Sequence, residues 1–150
     1  MILTILLIIN CILNNSINFD IKKIYEFANQ KQLEVVFVEG NGGNEERSHF
    51  QASIYEWLYL IDNAKYVITN SFHCALFSSL FEKNYGVIKL ANGFEGMNNR
   101  MDSLFEVFKI EPRYIDENFD VFRKEYIPKY DMDITLNKVL MELEGIKNNG

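Results

Sequence analysis

The sequence predicts an α/β protein built on one doubly wound parallel sheet. Four short runs rich in β-branched and aromatic residues alternate with segments of helical periodicity, and the spacing between the runs suits βαβ units. The chain has 150 residues, of which 48% are hydrophobic, and this is enough for one core. We therefore expect a single domain over residues 1–150.

Charge and cysteine usage exclude several classes of partner. The 15 Lys and Arg against 21 Asp and Glu give a formal net charge of −6, which disfavours nucleic-acid binding through a general basic field. Both cysteines, Cys11 and Cys74, lie in apolar runs, so we expect neither a disulfide framework nor a cysteine metal site. No cofactor is expected. A reducing cytoplasm is the expected compartment.

The first predicted strand, Ile2 to Ile9, lies in an apolar segment whose hydropathy also fits an export signal. No Lys or Arg precedes this segment, no small-residue cleavage site follows it, and about a dozen residues are too few to cross a bilayer. We therefore favour a buried parallel strand and expect no membrane span. A position beside a membrane is compatible with this expectation.

A helix opened by Asp20 and a second strand, Leu33 to Val38, complete a βαβ unit. The glycine-rich stretch 39–47 that follows lacks the further glycine of a dinucleotide-binding turn and the Gly-Lys-Ser/Thr of a P-loop. We interpret this stretch as a loop at the ligand edge of the sheet, and His49 as a solvated loop histidine.

A capping box marks the start of the next helix. Ser53 and Glu56 have the residue types and spacing that satisfy each other's backbone donors, so a helix is predicted from there to about Asp62. Trp57 is expected to pack in the core rather than to stack on a sugar.

The central feature is a strand, a tight corner and a helix. The run Lys65 to Thr69 is β-rich, and the segment Cys74 to Phe81 has helical character, with Asn70 or Ser71 as its cap. A helix that starts just past the carboxyl end of a parallel strand presents free N–H groups and partial positive charge. His73 is therefore predicted to lie where an anion binds; the alternative is a buried histidine bonded to a neighbouring strand.

A fourth strand, Tyr85 to Leu90, precedes a loop over residues 92–99 and a helix that begins near Arg100. An arginine at a helix start opposes the macrodipole, by under about 1 kcal/mol, and becomes useful if the guanidinium and the helix end hold an anion together. A surface pair with Asp102 or Glu95 is the equally weighted alternative. The predicted core positions of this helix are Met101, Leu104, Phe105 and Phe108.

The C-terminal part is predicted to contain a short edge strand, a last helix and a frayed tail. The strand runs from Glu111 to Ile115, and Pro128 discourages helix before Asp133, which is expected to cap the last helix. Residues from Lys147 onward form the frayed tail. The apolar face of the last helix comprises Leu136, Val139, Leu140 and Leu143.

The order of several of these residues resembles the polysaccharide pyruvyl transferases. The likeness runs through nearly the whole chain but matches only the C-terminal half of the family's usual length. Its motifs are Glu56-Trp57-Leu58, Ala64 to Thr69, Ser71-Phe72-His73, Asn99-Arg100 and Ser103-Leu104.

This resemblance implies a Rossmann-like domain similar to the C-terminal half of a GT-B-type transferase. It also implies an enzyme of surface polysaccharide biosynthesis that moves a pyruvyl group from phosphoenolpyruvate onto sugar hydroxyls as a ketal. His73 falls in the family motif and is the expected catalytic residue. Its imidazole can pass protons near neutral pH, and binding of the donor's phosphate is the alternative role. Cys74 departs from the family's usual glycine, and we interpret it as a small buried residue. The expected substrate-binding residues are Ser71, Phe72, Asn99 and Arg100.

The same resemblance implies that an N-terminal domain, which would carry the acceptor site, is absent. The expected partners are a small-molecule donor, a glycan acceptor and a separately encoded N-terminal half. Two alternatives stay open. One is a nucleotide-sugar glycosyltransferase domain, in which Glu95 or Glu106 would face a ribose, and the other is a non-catalytic remnant that binds a partner.

Overall fold

The computed structural model describes residues 5–10, 18–39, 53–123 and 132–149, and it confirms a mixed α/β protein with a parallel sheet. The described strands are β1 (Ile5–Asn10), β2 (Glu34–Glu39), β3 (Tyr66–Thr69) and β4 (Tyr85–Val87). They pair in the order β2-β1-β3-β4, and every pair is parallel. The order reverses between β1 and β3, and ligands in open parallel sheets bind beyond the carboxyl ends of the strands at such a point.

The described α-helices alternate with the strands as far as β4. They are α1 (Ile21–Gln30), α2 (Ile54–Asn63), α3 (Phe72–Leu80), α4 (Asn98–Phe108) and α5 (Met132–Asn149). Both α3 and α4 follow the carboxyl end of a parallel strand, so they begin at the same edge of the sheet.

Helices cover both faces of the sheet. Val67 and Ile68 are neighbours in β3 and point to opposite faces, where each is buried in a separate apolar cluster. On the Ile68 side, Phe27 of α1 stacks on Phe119 and Phe122. On the Val67 side, α2, α3, α4 and α5 contribute the buried residues Ile61, Cys74, Ala75, Leu76, Met101, Leu104, Phe105, Phe108 and Val139. The predicted core positions of α4 are thereby confirmed.

Side-chain caps begin α1 and α2 where the sequence predicts them. Asp20 accepts a hydrogen bond from the Lys22 N–H at 3.0 Å. Ser53 and Glu56 form a complete capping box, in which the Glu56 N–H donates to Ser53 Oγ at 3.3 Å and the Ser53 N–H donates to the Glu56 carboxylate at 2.8 Å. The bond from the Ser53 N–H holds the pKa of the Glu56 carboxyl below its usual range.

The predicted edge strand Glu111 to Ile115 is reduced to a single bridge. The Val87 N–H donates to the Arg113 carbonyl at 2.8 Å, and the Ile115 N–H donates to the Val87 carbonyl at 2.9 Å, which pairs Tyr114 with Val87 in parallel. The prediction was wrong in extent because β4 ends at Val87, short of the predicted Leu90, and the pairing is limited to this one residue.

Helix α5 corrects two predictions. Asp133 lies in its first turn instead of capping it, and the tail that we expected to fray is helical to Asn149, since no proline interrupts it. Val139 is buried, whereas Leu136 and Leu140 are 41% and 49% exposed, because α5 packs on α4 along a narrow stripe.

Some predictions fall outside the described residues. They concern the first residues of the predicted N-terminal strand, Cys11, the glycine-rich stretch 40–47, His49 and Pro128.

Gly86 lies where β4 passes close to the C-terminal segment. A Cβ at this position would lie 2.5 Å from Ile115 Cγ1 and 3.2 Å from Phe122 Cζ. We expect Gly86→Ala to lower the free energy of unfolding, measured by urea denaturation, by about 1–3 kcal/mol, because overpacking displaces these neighbours. Gly145→Ala in α5 is the control, since a Cβ there meets nothing within 4 Å. An unchanged urea midpoint in Gly86→Ala would contradict this expectation.

Candidate functional site

The corner between β3 and α3 is fixed by its own hydrogen bonds. Asn70 and Ser71 are buried, and the Ser71 N–H donates to Thr69 Oγ1 at 2.9 Å. Ser71 Oγ accepts from the Cys74 N–H at 3.4 Å, which makes Ser71 the N-cap of α3. The capping role of Ser71 is confirmed, and its contact with substrate stays a prediction.

His73 lies exposed in the first turn of α3. Its imidazole packs edge-to-face against the ring of Phe72, with 5.7 Å between the ring centroids. The alternative of a buried histidine bonded to a neighbouring strand is therefore wrong. An exposed imidazole beside a helix N-terminus is open to ligands from solvent.

Cys74 and Trp57 have the packing roles that the sequence predicts. Cys74 is fully buried in the cluster on the Val67 face. Trp57 is half-buried and packs edge-to-face on Phe77 of α3, with 5.5 Å between ring centroids. This contact holds α2 against the helix that carries His73.

Arg100 stacks on Phe72. The guanidinium carbon Cζ lies 4.7 Å from the centroid of the Phe72 ring, a cation–π distance. Arg100 Nε is buried and has no hydrogen-bond partner. A buried N–H without an acceptor is costly in a folded protein, which marks this position as one that a ligand can complete.

The alternative pairing of Arg100 with Asp102 or Glu95 is wrong. The Asp102 carboxylate accepts a hydrogen bond from the Tyr114 hydroxyl at 2.7 Å, and the Glu95 carboxylate accepts one from the Gly93 N–H at 2.9 Å. Burial and the bond to Asp102 raise the pKa of Tyr114 far above its usual range, so this hydroxyl stays a donor. Within the described ranges, no ion pair compensates the Arg100 charge.

The start of α4 is held in place by the side chain of Asn98. Its Oδ1 accepts from the Leu90 N–H and its Nδ2 donates to the Leu90 carbonyl, both at 3.0 Å. The helix therefore begins two residues before Arg100, within the segment that the sequence predicts as a loop. We call this pair of hydrogen bonds between the Asn98 side chain and the Leu90 backbone the Asn98 clasp. It fixes the position of the two residues that follow Asn98.

A cavity of about 190 Å³ lies between the start of α3 and the facing sides of α4 and α5. Three of the five predicted site residues line it, Phe72, Asn99 and Arg100, whereas Ser71 and His73 do not. The ring of Phe72 contacts both the guanidinium inside the cavity and the imidazole outside it. The remaining lining residues are Ser103, Leu104, Val107, Val139 and Glu142.

Sequence reasoning did not predict five of the lining residues as site residues, Ser103, Leu104, Val107, Val139 and Glu142. Val139 and Glu142 are three positions apart and therefore share a face of α5, which was the available signal. Nothing in the sequence pattern indicated that this face lies against α4.

Two further kinds of feature are absent from the described part of the chain. No group of three or more His, Cys, Asp or Glu side chains is arranged there to hold a metal ion. Among the helices described above, none combines the length and hydropathy needed to cross a membrane.

Comparison with known proteins gives one match. The family model described as polysaccharide pyruvyl transferase matches residues 2–87. The matched segment includes Ser71, Phe72 and His73 and ends before Asn99 and Arg100. No curated protein and no solved structure gives a significant match.

Proposed function

Because the chain belongs to the polysaccharide pyruvyl transferase family, we propose that it binds phosphoenolpyruvate and takes part in transfer of the pyruvyl group to a glycan. The product would be a cyclic ketal on two sugar hydroxyls, formed in surface polysaccharide biosynthesis. One observation carries the proposal: the Arg100 guanidinium, whose Nε is buried without a hydrogen-bond partner, and the exposed His73 imidazole contact the same Phe72 ring.

The reaction requires proton transfer at two carbon–oxygen bond-forming steps. One sugar hydroxyl adds to C2 of the enolpyruvyl group, and the methylene carbon takes up a proton to become a methyl group. The second hydroxyl then forms its bond to C2, the bond from C2 to the phosphate oxygen breaks, and the hydroxyl proton is released. His73 is the proposed general base, because its exposed ring can reach a hydroxyl of an acceptor bound from solvent.

Binding of the donor requires local positive charge. Phosphoenolpyruvate carries a phosphate and a carboxylate, whereas the chain as a whole has a formal net charge of −6. Arg100 lies in the first turn of α4, and α3 and α4 begin at the same edge of the sheet. The guanidinium and the N-terminal turn of α3 therefore provide local positive charge there. The donor is a substrate, and the proposal includes no cofactor.

We also propose a Rossmann-like fold of the GT-B type, in which an N-terminal half carries the acceptor site. The parallel order β2-β1-β3-β4, with helices on both faces, supports the first part. The second part rests on the two-domain architecture that the family resemblance implies.

The test is a turnover assay on the full chain, with and without the N-terminal half of a pyruvyl transferase. Phosphoenolpyruvate and a glycan acceptor are supplied, and phosphate release and the methyl resonance of the ketal are followed. We expect phosphate release that depends on the acceptor and a matching amount of ketal. Nucleotide release from an activated sugar would indicate a glycosyltransferase instead. Catalytic silence with a competent N-terminal half would indicate a binding module.

A further inference from the structure

The cavity between α3, α4 and α5 has walls that suit an apolar body. Leu104 and Val139 are buried, Val107 is half-buried, and all three line the cavity. A volume of about 190 Å³ is somewhat larger than the cavity of about 150 Å³ that holds one benzene ring, so a small organic acid fits. Aliphatic walls offer no hydrogen bonds, so they are poor surroundings for the several oxygens of a phosphate group.

The charges around the cavity distinguish between two kinds of anion. Arg100 and Glu142 both line it, and no ion pair joins them among the described residues. A phosphate group carries a charge of about −1.5 to −2 and would face the Glu142 carboxylate. A single carboxylate balances Arg100 and leaves a smaller repulsion from Glu142.

The geometry of Arg100 favours a planar partner. The guanidinium carbon lies 4.7 Å from the centroid of the Phe72 ring, so this apolar ring occupies one side of the group and a ligand must approach from another. Nε is already desolvated and has no acceptor, and a guanidinium presents a fork that matches the two oxygens of a carboxylate.

We propose that this cavity binds the carboxylate of a small monoanionic acid, with the acid's apolar body against the aliphatic walls. The inference rests on the proposed function, in which it assigns the donor carboxylate to Arg100. The donor phosphate then lies outside the cavity, at the start of α3 beside His73. Glu142 becomes a selectivity residue that disfavours phosphate inside the cavity.

The test uses two probes on the full chain. Pyruvate is followed by saturation transfer to its methyl protons, and inorganic phosphate is followed by ³¹P line broadening. We expect pyruvate to bind and Arg100→Met to weaken its binding about ten- to hundredfold, the loss expected for hydrogen bonds to a charged group. Arg100→Lys keeps the positive charge but lacks the forked N–H donors of the guanidinium, so it should weaken pyruvate binding less than Arg100→Met does. A thermal midpoint close to that of the wild type confirms that each variant is folded.

Glu142→Gln tests the selectivity of the cavity. We expect it to keep pyruvate binding and to increase phosphate binding, and the increase should disappear when Arg100→Met is added. Glu144→Gln is the matched control, because Glu144 is an exposed carboxylate on α5 that does not line the cavity. It should change neither probe.

Three results would overturn the proposal. They are no pyruvate binding to the wild type, unchanged pyruvate binding in Arg100→Met, or phosphate binding to the wild type that depends on Arg100. The turnover assay and this binding assay can give opposite outcomes, so the two proposals are tested separately. Pyruvate binding through Arg100 without ketal formation would support the carboxylate site and reject the proposed transferase activity. Ketal formation without pyruvate binding would support the activity and reject the carboxylate site.

Discussion

Replacing His73 with alanine is expected to abolish ketal formation while leaving the thermal midpoint of unfolding nearly unchanged. The side chain is exposed, and its described contact is a T-shaped packing against the Phe72 ring. An exposed substitution of this kind changes stability by about 0.5 kcal/mol or less. Loss of a general base lowers a rate by about 10²- to 10⁴-fold. Phosphate release and thermal denaturation of the same samples measure the two effects.

Two controls make the His73 result specific. His73→Gln keeps a polar side chain that cannot pass a proton in the same way, so it should be as inactive as the alanine variant. Lys65→Ala removes an exposed charge at the opposite end of β3 and should leave turnover unchanged. Full turnover in His73→Ala would reject the catalytic role, and a large fall in its thermal midpoint would show that the residue is structural.

The largest loss of stability is expected from Arg113→Met. This arginine is 7% exposed, and its Nε donates to the Tyr85 carbonyl at 2.7 Å while an Nη donates to Asn84 Oδ1 at 2.6 Å. The same Nη lies 3.3 Å from the Val121 carbonyl, and the guanidinium stacks on the Tyr85 ring. Its removal leaves these acceptors unsatisfied, and we expect a loss of about 3 kcal/mol or more in the free energy of unfolding.

Arg123→Met is the matched control for this measurement. Its side chain is 75% exposed and forms a surface ion pair with Asp120 at 3.3 Å. Such pairs contribute about 0–1 kcal/mol. Urea denaturation of both variants should therefore give clearly separate midpoints. Similar midpoints would show that the buried hydrogen bonds of Arg113 contribute no more than a surface pair does.

Local signals in the sequence were sufficient to predict the elements around the site. The capping side chains of Asp20, Ser53 and Ser71 lie where their residue types and spacing indicate, because a cap depends only on the next few residues. The buried stripe of α4 follows from helical periodicity for the same reason. The parallel pairing of the strands and the corner before His73 are consistent with these local predictions.

Contacts between distant segments could not be predicted in this way. Arginine is a residue type that usually lies at the surface. The burial of Arg113 depends on carbonyl groups of β4 and of the segment near Val121. The unpaired state of Arg100 depends on Tyr114, which occupies Asp102 from twelve residues away. The site role of Glu142 depends on where α5 lies against α4. Each of these facts belongs to the tertiary structure.

Because of the Asn98 clasp, the position of Arg100 depends little on which residues lie between Leu90 and Asn98. Since both ends of that segment are joined through one amide group, we expect substitutions and short insertions within it to leave the guanidinium in place. Such a segment is suited to diversification and to engineering, because the rim of the sheet can change while the anchoring cation does not move.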